Sequence, residues 1–331
     1  MGNVQNSSPP KTPETLPPSP PLGVNLPPLR PELPKEAQTS NTTIENPGSI
    51  EELHKKCKDV FPSPFEGARI VVNKGLSNHF QISHSLQLTS GPSSGYRFGA
   101  TYVGTHQVSP TEAYPVLLGD IDPNGNLNAN VLLQAAENCR FKFQAQSQNG
   151  KFQLSQYSLD YKGSDYTATL MCANPNILNG TGVFVAHYLQ SVTKNLALGA
   201  ELIYQRMGAQ HGGPTAFTSL AARYNGSDYS CSGTIGLPGI HFCYYQKASE
   251  QLQLGVEFET SLRLMEAQAS IGYQVDIPKA DLVFKGSVDT NWTVSAVLEK
   301  RLSPMPFTLA LGASLNHRKN DFRLGLGFII G

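Results

Sequence analysis

Charge is scarce in this chain. Acidic and basic side chains make up 15% of residues, well under the roughly 25% of an ordinary soluble domain. They cancel, 25 against 25, so no basic footprint for a nucleic acid is present and no nucleic-acid partner is expected. No apolar run approaches the roughly 20 residues that a spanning helix requires. The start, Met1-Gly2-Asn3-Val4-Gln5, has neither a basic nor an apolar stretch, so no secretory signal is expected, and it is too poor in Arg for a matrix presequence. Asn6 stands where a myristoylation pattern has a hydroxyl residue. The five cysteines follow no repeated spacing and read as reduced thiols. His84, His187, His241 and Cys243 stand isolated, with none of the spacing of a nucleophile relay or a metal site. They read as wall residues, and no catalysis or cofactor is expected.

What fills the chain instead is Gly and uncharged polar side chains, interleaved with apolar ones. Residues 1–48 are an exception and read as a disordered leader. Pro9, Pro10, Pro13, Pro17, Pro18, Pro20 and Pro21 break any helix there, and little apolar surface is available to bury. Residues 49–61 form a short amphipathic helix. Ser49 is placed to cap it, Glu51 and Glu52 suit its positive end, and Lys55, Lys56 and Lys58 its negative end. Ile50, Leu53, Cys57, Val60 and Phe61 lie on one stripe, and Pro62 and Pro64 end the helix. A lone amphipathic helix must dock on something.

From Gly67 to Gly331 the period is two. In Leu196–Tyr204 the even positions are Leu196, Leu198, Ala200, Leu202 and Tyr204, opposed by Glu201 and, just beyond, Gln205. Leu252, Leu254, Val256 and Phe258 alternate with Gln253, Glu257 and Glu259; Phe307, Leu309, Leu311 and Leu315 alternate with Thr308, Ser314 and Asn316. Such strands have one greasy and one wet face. Turn signals such as Pro123-Asn124-Gly125, Asn149-Gly150 and Asn225-Gly226-Ser227 separate them. About nineteen segments fit, each near the ten residues of a tilted membrane strand. In Lys151–Lys162 the apolar parity changes midway, from Phe152 and Leu154 to Tyr157, Leu159 and Tyr161, which predicts a bulge. Tyr96, Tyr102, Tyr166, Tyr204, Tyr224, Tyr273 and Trp292 sit at the ends of greasy faces, as a membrane girdle would. A soluble propeller or sandwich also alternates, but these strands are long, lack a blade-like repeat, and carry Gln, Ser and Thr on the wet face in place of Lys and Glu. The expected fold is therefore an all-β transmembrane β-barrel.

Several stretches carry a family likeness. Val72-Asn73-Lys74-Gly75-Leu76-Ser77-Asn78-His79-Phe80-Gln81, Val185-Ala186-His187-Tyr188-Leu189-Gln190-Ser191-Val192-Thr193, Leu196-Ala197-Leu198-Gly199 and Lys285-Gly286-Ser287-Val288-Asp289 closely resemble the channel-forming subunits of the translocase of the outer mitochondrial membrane, within the mitochondrial porin family. The resemblance runs from the Ser49 helix to Gly331. It implies nineteen strands with the first and last parallel and the short N-terminal helix inside the pore. It also implies a protein-conducting channel of the mitochondrial outer membrane that imports precursors bearing basic presequences. Implied partners are a central receptor subunit, small single-span subunits, the barrel-assembly machinery and membrane lipid, with barrels pairing into a dimer. Arg323, Gly325, Phe328 and Ile330 resemble the family's assembly signal, and an unclosed strand edge gives that signal something to pair through. The rival reading is a metabolite or ion pore of the voltage-dependent anion channel type, which would favour a net basic wall.

A wall of this kind also suggests contacts for basic presequences. Glu201, Gln253, Glu257, Glu259, Glu266 and Asp281 are the candidate pore-lining contacts, and Glu257, Glu259 and Glu266 flank one turn and are expected at one rim. That rim falls at the cytosolic mouth if the family's topology holds.

Overall fold

The structure, a computed structural model, describes residues 46–90, 94–109, 112–148, 150–176, 180–206, 213–262 and 265–331. The expected leader lies almost wholly outside these residues. The described residues form nineteen strands. The first seven are β1 (Gly67–Gly75), β2 (Phe80–Leu88), β3 (Gly95–Ser109), β4 (Glu112–Ile121), β5 (Leu127–Ala136), β6 (Cys139–Gln148) and β7 (Lys151–Lys162). Six follow: β8 (Tyr166–Asn176), β9 (Thr181–Ser191), β10 (Leu196–Arg206), β11 (Thr215–Asn225), β12 (Tyr229–Gly236) and β13 (Gly239–Lys247). The last are β14 (Leu252–Ser261), β15 (Glu266–Ile277), β16 (Leu282–Asp289), β17 (Thr293–Arg301), β18 (Phe307–Asn316) and β19 (Asp321–Ile330).

Each strand pairs antiparallel with its sequence neighbour, and β1 pairs with β19 to close the ring. Strand direction alternates along the chain, so an odd count leaves the first and last strands pointing the same way. Their ladder is accordingly parallel, with Gly67 opposite Gly325 and Val72 opposite Ile330. Closure removes every free strand edge, which hydrocarbon would not tolerate. The turns after odd-numbered strands share a mouth with the chain's C-terminus; the turns after even-numbered strands form the opposite mouth.

The bulge falls where the parity changes. On β6, Gln146 faces Leu154 and Ser147 faces Phe152, which leaves Gln153 of β7 without an opposite residue. That extra residue returns Phe152 to the outer face with Tyr157, Leu159 and Tyr161. Outward leucines such as Leu198, Leu202, Leu254 and Leu311 are exposed in the isolated chain, as side chains facing lipid must be. Tyrosines stack on the same outer surface, Tyr224 on Tyr229 and Tyr229 on Tyr244, near the C-terminal mouth where an interfacial girdle belongs. No helix among the described residues is long and apolar enough to cross a membrane; the crossing is made by strands.

The helix is shorter than its apolar stripe. Ile50–Glu52 form a 3-10 turn and Lys55–Lys58 an α-helix, α1. Ser49 makes no side-chain capping bond, contrary to expectation. Asn46 takes part of that role: its Oδ1 accepts from Gly48 N at 2.8 Å, and its Nδ2 reaches across to the carbonyls of Gly163 and Tyr166. The stripe itself behaves as expected, with Ile50, Leu53, Cys57 and Val60 all buried. Ile50 and Leu53 pack on Leu189, Ala197 and Ala221, an apolar cluster on the inner wall.

Candidate functional site in the barrel lumen

The docked segment fixes which side chains face inward. A Cβ added at Gly255 would meet Cys57, one at Gly272 would meet Phe61, and one at Gly312 would meet Phe65. Inward parity on β14 is therefore Gln253, Gly255, Glu257 and Glu259, and on β15 it includes Glu266, Gly272 and Gln274. Leu254 and Ile271 face out. This is the wet-face assignment the alternation gave.

Residues 46–65 run along the inner wall and hold to it at each step. Asn46 binds the β7–β8 turn; Pro47 O accepts from the Arg223 guanidinium of β11. Glu51 pairs with Lys142 of β6 at 3.2 Å, and Lys142 also meets Asp160 of β7 at 2.9 Å. His54 Nδ1 bonds Ser232 Oγ at 2.8 Å. The Cys57 thiol points at the carbonyls of Tyr244 and Val256, and Lys285 of β16 donates to Asp59 O. Phe65 then lies across the glycines of β18 and β19. A methyl group at Gly325 would collide with the Phe65 carbonyl and ring. Gly325 thus has a packing role beside any role in assembly. Three of the basic wall residues, Lys142, Arg223 and Lys285, are engaged in holding this segment.

The six predicted pore-lining residues do not form one site. Glu259 and Glu266 share a cavity of about 940 Å³ at the mouth opposite the C-terminus. The same cavity is lined by Arg318 and Lys319, so this rim is mixed in charge, not purely acidic. Glu257 lies one inward position deeper than Glu259 on β14 and is bonded to His241 Nε2 at 2.7 Å. The expectation that all three glutamates crowd one rim is therefore corrected: with a 6–7 Å rise per inward-facing pair of residues, Glu257 is drawn into the wall. Glu201 sits midway along β10, 3.9 Å from His187. Gln253 Oε1 accepts from Tyr245 Oη at 3.0 Å near the C-terminal mouth. Asp281, in a left-handed turn conformation with φ of 51°, accepts from Ser303 Oγ at 3.1 Å at that mouth.

At the C-terminus, Arg323 binds Asp321 at 2.8 Å on the inner face. Phe328 and Ile330 face out, and the Phe328 ring lies 5.3 Å from Phe307.

Reading the histidines and cysteines as isolated missed one constellation. His54 lies against His241, ring centroids 4.1 Å apart, and Cys243 Sγ is 3.4 Å from His241 Nε2. A signal existed: His241-Phe242-Cys243 on a strand of period two must present both donors to one face. His84 is different, lying on the outer face with its Nδ1 2.6 Å from Tyr96 Oη.

A closed barrel with a greasy exterior, a polar lumen and a segment docked inside defines a membrane pore. The chain belongs to the eukaryotic porin family, whose family model matches residues 46–325. It is 53% identical over 316 residues to mitochondrial import receptor subunit TOM40 homolog 2 of Drosophila melanogaster, covering 96% of this chain and 93% of the relative. It is 48% identical to the TOM40 homolog of Xenopus tropicalis over the whole of both chains. The TOM40 homolog of Homo sapiens is 53% identical across 87% of this chain and 79% of its own length.

Proposed function

We propose that the protein is a protein-conducting channel that passes unfolded precursors with basic presequences across the mitochondrial outer membrane, where it resides. The observation that carries this reading is the likeness, at about half of all positions and over nearly the full length, to relatives named as mitochondrial import receptor subunits. The lumen is suited to the task. Its wall mixes Gln, Ser, Thr and Asn with dispersed charge and an apolar strip in which Val185 and Phe217 flank the inward Ile203, so polar and apolar stretches of a passing chain both meet weak contacts. Glu259 and Glu266 attract a basic presequence at one mouth, weakly, because water and salt screen them. Gln253 and Asp281 line the way near the other mouth, with Glu201 and Glu257 on the wall between. A metabolite pore of the anion-channel type shares the architecture, but the import subunits are the relatives this chain matches.

The same reading assigns partners: a central receptor subunit and small single-span subunits against the outer face, and a second barrel across lipid. Arg323, Gly325, Phe328 and Ile330 serve as the segment by which assembly machinery engages β19 before β1 closes on it. An incoming edge is recognised through backbone hydrogen bonds, with alternate side chains giving specificity.

The test is a precursor arrested in transit with photoreactive groups placed along β14. Adducts are expected from Gln253 and Glu259, and lipid or neighbouring-subunit adducts from Leu254. Absence of precursor adducts at both inward positions, in a channel that still conducts ions, would overturn the proposal.

A further inference from the structure

The pore helix meets the wall at a set of nitrogen and sulfur donors, from His54, His241 and Cys243, that protein conduction leaves unused. One donor atom from each of His54, His241 and Cys243 lies within 4.8 Å of the other two. Glu257, opposite Cys243 in the β13–β14 register, adds a carboxylate oxygen 2.7 Å from His241 Nε2. While His54 Nδ1 is occupied by Ser232, its Nε2 is buried with no hydrogen-bond partner. An orphaned ring nitrogen costs free energy in the absence of something to bind.

We propose that His54, His241, Cys243 and Glu257 form a site for one divalent transition-metal ion, zinc by its donor set, which fastens the pore helix to the barrel wall. Two imidazoles, a thiolate and a carboxylate are each ordinary zinc ligands, and four of them satisfy its tetrahedral preference. The mixture of nitrogen and sulfur disfavours magnesium and calcium, which take oxygen. The donors come from three elements, α1 with its leading residue, β13 and β14, so binding cross-links the segment to the wall. The donor atoms of His54, His241 and Cys243 already lie within 4.8 Å of one another, and Glu257 turns from His241 Nε2 to join them on an ion with bonds of about 2.0–2.3 Å. Binding displaces the Cys243 thiol proton and any proton shared by His241 and Glu257 to the water of the lumen, which is also the ion's way in.

The experiment uses the full chain refolded in detergent, reduced and stripped of metal, then titrated with zinc against a chromophoric chelator. One zinc per barrel at micromolar affinity or better is expected. His54→Ala and Cys243→Ser should each weaken binding by at least about tenfold, while His187→Ala should not. Cobalt in place of zinc should give a thiolate charge-transfer band that Cys243→Ser abolishes. Zinc should also slow proteolysis of residues 46–61 in the parent chain but not in His54→Ala. His54 belongs to no strand, so its variant keeps the barrel and the comparison stays decisive. Absence of stoichiometric zinc, unchanged affinity in His54→Ala, or a cobalt spectrum without the thiolate band would each overturn the site.

Discussion

Shortening Leu53 to Ala should loosen the pore helix by a calculable amount. Leu53 is 3% exposed and packs on Ile50, Leu189, Ala197 and Ala221. Fully burying a leucine is worth about 1.5–3 kcal/mol, and truncation leaves a cavity besides. A loss of about 2–3 kcal/mol corresponds to roughly a 30- to 150-fold rise in the undocked fraction, at 1.4 kcal/mol per decade. Cys57 reports that fraction directly, being 2% exposed when docked. In a chain whose other cysteines are replaced by Ser, a membrane-impermeant maleimide should label Cys57 slowly. Where redocking outpaces the reagent, the labelling rate follows the undocked population, so Leu53→Ala should speed it by about 30-fold or more. Leu254→Ala, on the lipid face, should leave it unchanged. An acceleration below about threefold would show that this contact does not hold the segment, and the docking account with it would fail.

Val256→Arg, midway along the lipid face of β14, should destabilise the barrel by about 2–4 kcal/mol, whereas Leu254→Arg, close to the C-terminal mouth, should cost about 0–1 kcal/mol; urea titration in vesicles separates them. Glu259→Gln with Glu266→Gln should weaken presequence block of the channel, more at low salt than at high salt, and equal block at low ionic strength would reduce these charges to lumen polarity. Replacing Phe328 and Ile330 together by Asn should stop newly made chain from reaching a carbonate-resistant form in isolated mitochondria. Normal insertion with impaired import would move those residues to a later step.

The barrel was legible because one physical constraint repeats along 67–331. Lipid outside and water inside force period two, and even the lapse at Lys151–Lys162 announced the extra Gln153 that the pairing contains. The helix stripe was legible for the same reason, since Ile50, Leu53, Cys57 and Val60 had to face something apolar. Its route was not. Gly255, Gly272, Gly312 and Gly325 read in isolation as ordinary small residues, yet together they make the track on which Phe61 and Phe65 lie. Ser49 looked like a cap because its type favours that role, but Asn46, reaching the β7–β8 turn, organises the segment's start. The candidate site was the least legible part. Charge clustering along the chain put Glu257 with Glu259 and Glu266, while the fold ties it to His241 and brings Arg318 and Lys319 to the rim that Glu259 and Glu266 share. Those pairings join residues remote in sequence, and period alone does not reveal them.

The most direct test of the central claim is import into mitochondria depleted of the resident channel and resupplied with this chain. The account predicts that a presequence-bearing precursor again reaches a protease-protected, processed form, and that a lumen-spanning precursor competes for the same route. Restored ion and metabolite permeability with no recovery of precursor import would contradict it.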